Sequence, residues 1–287
     1  MRLIKRFSAC ALAVLLFGAA ALRASAANVY TVIDGFAFDI SEGAAVIHEY
    51  RGSGNSPAIP AALLDAPVTR IDSSAFFNQE NLTKVSFEDA VNLRTIGSNA
   101  FFGCKGLESV AVPDCVTEIS FGAFQGCSAL TELKLSDSLK EIAEQTFYGC
   151  ASLSEVAIPD SVQRIGAFAF GSCSELKEIW IPDSVTEIDR TAFRGDTNTL
   201  IYCLKGSYAA EYAAEKRIPY VFAGDVNGDR DINIMDVTVI QQYLAELYTL
   251  GDAALITADV NGDGIIDIGD ATHLQMYLAE QDVKLGK

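Results

Sequence analysis

Apolar residues return along this chain with a period of 23. Phe101, Phe124, Phe147, Phe170 and Phe193 fall in register, as do Ile96, Ile119, Ile142, Ile165 and Ile188. Three more columns keep the spacing: Cys104, Cys127, Cys150 and Cys173; Leu107, Leu130, Leu153 and Leu176; Val112, Leu135, Ile158 and Ile181. A further copy upstream, with Ile71, Phe76, Leu82 and Val85, is offset by 25, which places a two-residue insertion near residues 88–92. Six copies, the last degenerate, occupy residues 68–202. So short a unit cannot close a core alone, and neighbouring units must stack to bury each other's faces. The pattern predicts a solenoid.

Within a unit, Leu-x-x-Val-x-Ile-Pro sets apolar side chains at strand spacing. Pro113, Pro159 and Pro182 then end the strand, because proline cannot donate to a ladder. The Ala-Phe-x-Gly-Cys stretch predicts a tight helical turn that returns the chain. At the outward strand position Ser86, Ala111, Lys134 and Ala157 are followed by Trp180, the only tryptophan. Aromatic rings are favoured contact anchors, which makes Trp180 the candidate ligand contact of the solenoid; the alternative is packing beside the last repeat, near Tyr202. Residues 27–67, with apolar runs at 35–40 and 45–50 around Glu42-Gly43, predict an N-terminal cap built on a hairpin. Residues 203–222, with an Ala-rich stretch from Tyr208 to Lys216, predict a C-terminal cap.

Composition narrows the function. The chain has 287 residues, enough for about two domains, and a net charge of −17. Without clustered Lys and Arg it does not suit nucleic acid or an anionic membrane surface. Residues 1–26 read as a secretory signal peptide: Arg2, Lys5 and Arg6, an apolar run from Phe7 to Leu22, then Ala24-Ser25-Ala26. The run is shorter than the roughly 18 to 20 residues of a spanning helix, so no stable membrane insertion is expected. Removing its four bases takes the charge from −17 to −21. Four of the six remaining cysteines lie on one column beside Phe and Leu, where Cys acts as a small hydrophobe. His48 and His273 lie in different modules without a partner at ligand or catalytic spacing, and no hydrolase motif is present. Carboxylate columns at Glu132, Glu155 and Glu178 and at Asp137, Asp160 and Asp183 read as solvated faces or turn caps.

After Ala223-Gly224 the pattern changes. Residues 224–287 carry 12 acids against 3 bases. A 12-residue stretch from Asp225 to Asp236 recurs 34 residues later from Asp259 to Asp270. Calcium takes six to eight oxygens, and the EF-hand loop supplies them from positions 1, 3, 5, 7, 9 and 12. Those positions are Asp225, Asn227, Asp229, the Asp231 carbonyl, Asn233 and Asp236. In the second loop they are Asp259, Asn261, Asp263, the Ile265 carbonyl, Asp267 and Asp270. Two calcium ions and two following helices, Val237–Leu247 and Ala271–Glu280, are expected.

Both halves resemble known families. Leu107, Val110 and Val112 fit the leucine-rich-repeat pattern, and Ile158 to Val162 and Ile181 to Val185 read Ile-Pro-Asp-Ser-Val. These units resemble the BspA-type leucine-rich repeats of bacterial surface and secreted proteins. That resemblance implies a right-handed α/β solenoid of parallel strands used for binding. Asp at position 12, the missing entering helix, the 34-residue spacing and the Gly-Asp-Val-Asn-Gly-Asp opening make residues 224–287 similar to a type I dockerin, a small all-α calcium-binding module. This second resemblance implies attachment to a cohesin on a scaffoldin, as in cellulosomes. By analogy it maps partner contacts onto Ile234, Met235, Gln241 and Gln242, and onto Ile268, Gly269, Gln275 and Met276. The expected protein is a secreted, non-catalytic binding module held on an extracellular scaffold in a polysaccharide-degrading context. Its solenoid would take a polysaccharide, a glycoprotein or a protein; the alternative is a dockerin-borne hydrolase.

Overall fold

The computed structural model describes residues 30–195 and 199–286. The expected signal peptide lies outside the described residues. Thr31–Ile33, Phe36–Ser41 and Ala44–Tyr50 form an antiparallel meander, with Glu42 and Gly43 at positive φ in the tight turn of the predicted hairpin. Ala44–Tyr50 then pairs in parallel with Ala66–Ile71, which carries the cap into the solenoid.

Each repeat contributes two short strands where the pattern predicted one. The first column runs through Ser109–Ala111, Glu132–Lys134, Glu155–Ala157 and Glu178–Ile181 to Leu200–Cys203 and Tyr220–Phe222. The second runs through Thr95–Ile96, Glu118–Ile119, Glu141–Ile142, Arg164–Ile165 and Glu187–Ile188. Pairing is parallel, and it sets equivalent residues side by side: Val110 with Leu133, Val156 with Ile179, Ile142 with Ile165 and Ile188. The third side corrects the expectation of a helical turn. Its amides bond forward to the next coil, Phe101 N to Ala123 O at 2.7 Å and Phe147 N to Ala169 O at 2.9 Å, and so form linked turns. Most coils put two residues there at positive φ, as at Asn99 and Gly103, Gly122 and Gly126, and Gln145 and Gly149, and glycine adopts that backbone without steric cost.

The phenylalanine column forms a stack through the core. Successive centroids from Phe76 to Phe193 lie 4.7, 5.1, 5.6, 5.5 and 5.7 Å apart, with interplanar angles of at most 17°. Tyr50 closes one end at 5.2 Å and Tyr212 the other at 6.1 Å. The cysteine column serves this stack: Cys104 Sγ donates to Phe76 O, Cys127 to Phe101 O, Cys150 to Phe124 O and Cys173 to Phe147 O. Burial pushes the Cys104 thiol up to about 12 and its neighbours Cys127 and Cys150 up as well, so these thiols are packing groups.

Four helices follow the repeats. Helix α1 (Tyr208–Lys216) is capped by Ser207 and ends at Arg217 in the left-handed region. Helices α2 (Ile234–Leu244), α3 (Asp252–Ala258) and α4 (Ile268–Leu278) complete the acidic module, with α2 packed on α4. Both α2 and α4 start three residues earlier than the pattern suggested. Asn233 and Asp267 cap them, and Asp236 and Asp270 close reciprocal capping boxes. Thr31 to Lys287 clusters as one unit, and no helix among the described residues is long and apolar enough to cross a membrane.

Candidate calcium loops and docking face

The two acidic loops fold alike, residue for residue. In the first, Asp225 Oδ2 accepts from Arg230 N at 3.0 Å, Asn227 Oδ1 from Asp229 N at 2.8 Å, and Asp229 Oδ1 from Asp231 N at 2.8 Å. The second repeats this with Asp259 and Gly264 N at 3.1 Å, Asn261 and Asp263 N at 2.9 Å, and Asp263 and Ile265 N at 2.9 Å. These short side-chain-to-backbone bonds fold each loop into a series of tight turns.

Position 12 does more than complete a ligand set. Asp236, wholly buried, accepts from Val226 N at 2.9 Å, Asn227 N at 3.1 Å and Asn233 N at 2.9 Å. Asp270 does the same with Val260 N, Asn261 N and Asp267 N. One carboxylate therefore ties both ends of each loop together.

Two oxygens are left over. Asp225 Oδ1 and Asp259 Oδ1 are buried and have no hydrogen-bond partner. Burial of an unpaired carboxylate oxygen is costly, and desolvation holds the Asp225 and Asp270 carboxyls above the ordinary carboxylate range. A hard cation would satisfy those oxygens, and Asn227, Asp229, Asn233 and their second-loop equivalents supply oxygens of the right kind around them. The side chains have not converged, however: Asn227 Nδ2 bonds Asp229 Oδ2 and Asn261 Nδ2 bonds Asp263 Oδ2. Among the described residues no three His, Cys, Asp or Glu side chains stand clustered for an ion.

Position 6 differs between the loops. Gly264 has φ +83° and Arg230 φ +70°. The left-handed backbone costs Arg230 roughly 1 to 2 kcal/mol. Two contacts with the solenoid hold it: its guanidinium lies 5.4 Å above the Tyr220 ring, and its carbonyl accepts from Lys205 Nζ at 2.6 Å.

Ile234, Met235 and Ile268, at the first turns of α2 and α4, are 58, 56 and 63% exposed. Gln241, Gln242 and Gln275, two turns further on, are exposed too, while Gly269 and Met276 are half-buried. Residues seven apart share a helix face. Each helix thus presents its own apolar tip and polar flank to solvent.

Two sequence expectations are corrected here. Trp180 does not face solvent: it is 4% exposed and its ring lies 4.7 Å from Tyr202, so the packing alternative holds. His48 has partners, with Nδ1 2.9 Å from Asp72 Oδ2 and Nε2 3.2 Å from Asp39 Oδ1, both on the N-terminal strands or their edge.

Comparison with known proteins agrees with this geometry. Residues 67–200 match six copies of the BspA type Leucine rich repeat region, and residues 223–279 match the Dockerin type I domain. The chain carries a BspA-type leucine-rich repeat region followed by a type I dockerin domain. A leucine rich cell surface protein from Faecalibacterium prausnitzii is similar in structure, at 28% identity and a TM-score of 0.57 over 70% of this chain. The chain spans only 55% of that protein's length. A leucine rich repeat protein from T. pallidum shares the fold at 24% identity and a TM-score of 0.51, covering 68% of this chain and 98% of that one. No curated protein matches.

Proposed function

We propose that this protein is a secreted, non-catalytic binding solenoid that two calcium ions and a cohesin fix to an extracellular, cellulosome-like scaffold. The observation that carries the reading is the pair of in-register loops, each with a buried, unpartnered oxygen on its first aspartate. Asp225, Asn227, Asp229, the Asp231 carbonyl, Asn233 and Asp236 would hold one ion. Asp259, Asn261, Asp263, the Ile265 carbonyl, Asp267 and Asp270 would hold the other. The exposed tips Ile234, Met235 and Ile268 would meet the cohesin, with Gln241, Gln242, Gln275, Gly269 and Met276 around them.

The solenoid offers its first-column strand face to a ligand. A groove of about 650 Å³ opens there, lined by Lys84, Ser86, Ala111, Glu132, Lys134 and Glu155. Mixed charges above small side chains suit a polar, neutral chain such as a polysaccharide or glycoprotein. The full-length protein should bind immobilised type I cohesins in calcium and leave them in chelator. An array of plant polysaccharides should show saturable binding without release of reducing sugar. Capture that persists in chelator, or hydrolysis by the pure protein, would overturn this reading.

A further inference from the structure

The dockerin is not hung on a linker. Only Ala223 and Gly224 separate it from the last solenoid strand, and both are buried. Parallel pairing aligns Ala157, Trp180, Tyr202 and Val221 in one outward row. Ala157 is exposed, whereas Trp180 and Tyr202 are 4% and 1% exposed. The cover over them is dockerin: they share an apolar cluster with Val226, Val260, Leu274 and Leu285. The backbone of Gly286 lies so close that a methyl group there would overlap the Trp180 ring.

The contacts reach the loops themselves. Lys205 Nζ bonds Arg230 O and, at 2.7 Å, Asp231 Oδ1, which are positions 6 and 7 of the first loop. Arg230 covers Tyr220. At the second loop, Gly286 N donates to Val260 O at 3.0 Å, which ties the tail lying on Trp180 to loop position 2, and Lys284 Nζ stands 3.4 Å from Asp160 on the solenoid. The Tyr202 phenol is pushed well above its ordinary range, first by burial and then by the Asp259 and Asp270 carboxylates, so it too is near the second loop.

We infer that the last solenoid coils and the dockerin form one calcium-dependent folding unit. With the loops filled, the dockerin lies on the Trp180–Tyr202 face and fixes its direction relative to the solenoid. With the loops empty, that aromatic face is uncovered. The inference rests on the calcium reading of the loops and extends it to residues outside the dockerin. The loop residues that set backbone shape also touch the solenoid, so order in one stabilises the other. Linkage makes this reciprocal: loosening the solenoid contact must weaken calcium binding by the same factor by which calcium tightens the contact.

Trp180 is the only tryptophan, so its emission in the full-length protein reports this interface alone. In calcium the emission should be blue-shifted and shielded from acrylamide. Chelator should shift it red and raise quenching at least about twofold, over the same calcium range in which helical circular dichroism is lost. Gly286→Ala and Lys205→Ala replace no proposed ligand; each should weaken calcium binding by calorimetry about fivefold. Loss of helical signal with unchanged Trp180 emission would overturn the inference and leave the calcium reading standing, as would parental affinity in both variants. Absence of calcium binding by the parent protein would sink both.

Discussion

Exchanging Asp236 for Asn keeps the shape of the side chain and removes one acceptor from a buried site that uses three bonds. In the protein Oδ1 takes the amides of Val226 and Asn227, and Oδ2 takes that of Asn233 at 2.9 Å. Asn has one oxygen. If that oxygen keeps the first two amides, its NH₂ group faces the Asn233 N–H, donor against donor. A hydrogen bond to a charged group contributes about 1.5 to 3 kcal/mol, and an unpaired buried donor costs about 1 to 3 kcal/mol. The two figures partly describe the same loss, so the expected total is about 2 to 4 kcal/mol. Urea unfolding followed by helical circular dichroism in saturating calcium measures it, provided the slope of the transition is unchanged. Asp229→Asn is the matched control: it removes the same charge from an exposed carboxylate whose bonds are to Asp231 N and Asn227 Nδ2, and should lose far less stability. An Asp236→Asn protein within about 0.5 kcal/mol of the parent would refute the idea that position 12 pins the loop ends.

Phe147→Ala, in the middle of the aromatic stack, should cost about 3 to 5 kcal/mol by chemical denaturation, against less than about 1 kcal/mol for the half-exposed Phe77→Ala. The second calcium loop should bind more tightly, because its side chains bring four carboxylates against three and Gly264 takes the left-handed backbone without strain. Calorimetry on Asp225→Ala and Asp259→Ala tests this, and a surviving tight site in the second variant would reverse the ranking. The hydroxyl and amide of Thr191 hold the Asp189 carboxyl below its ordinary value, so its contribution is present above the unfolded pKa and is lost as pH falls through the lower folded one. Between about pH 5 and about pH 3 the parent should therefore lose more stability than Asp189→Asn.

The period was legible because every coil has the same neighbours: a position buried once is buried in each repeat, and the Phe and Cys columns record that directly. The second strand column was not legible. Two-residue strands such as Glu141–Ile142 show no alternation, and only their parallel partners define them. The turn side was misread as a helical turn: alternate amides there, such as Phe101 N and Gly103 N, find carbonyls on the next coil, and those between them close only local turns, as Phe102 N does to Asn99 O. In the dockerin, spacing alone marked the two loops as a pair, and the structure folds them alike. It did not show that Asp236 and Asp270 also cap helices, which moves the helix starts to Ile234 and Ile268. Trp180 was correctly placed on the outward face of its strand. Repeat logic contains no information about a different module lying on that face, and the change from Ala157 to Trp180 and Tyr202 along the row was the available sign.

That row divides one sheet face between two tasks. At Ala111, Lys134 and Ala157 the side chains are small or charged and the face is open, forming part of the groove. At Trp180 and Tyr202 they are large aromatics, and burying two such side chains stabilises contact with a second apolar body. A repeat protein ordinarily needs a polar cap on its last coil; here the outward side of the last coils is apolar and the dockerin supplies the cover. The arrangement leaves both surfaces usable together. Ile234, Met235 and Ile268 remain more than half exposed while the dockerin's buried side rests on the solenoid, so a partner on those tips would not require release from it. A scaffold would then hold the groove in a fixed direction, whereas a flexible linker would let it wander.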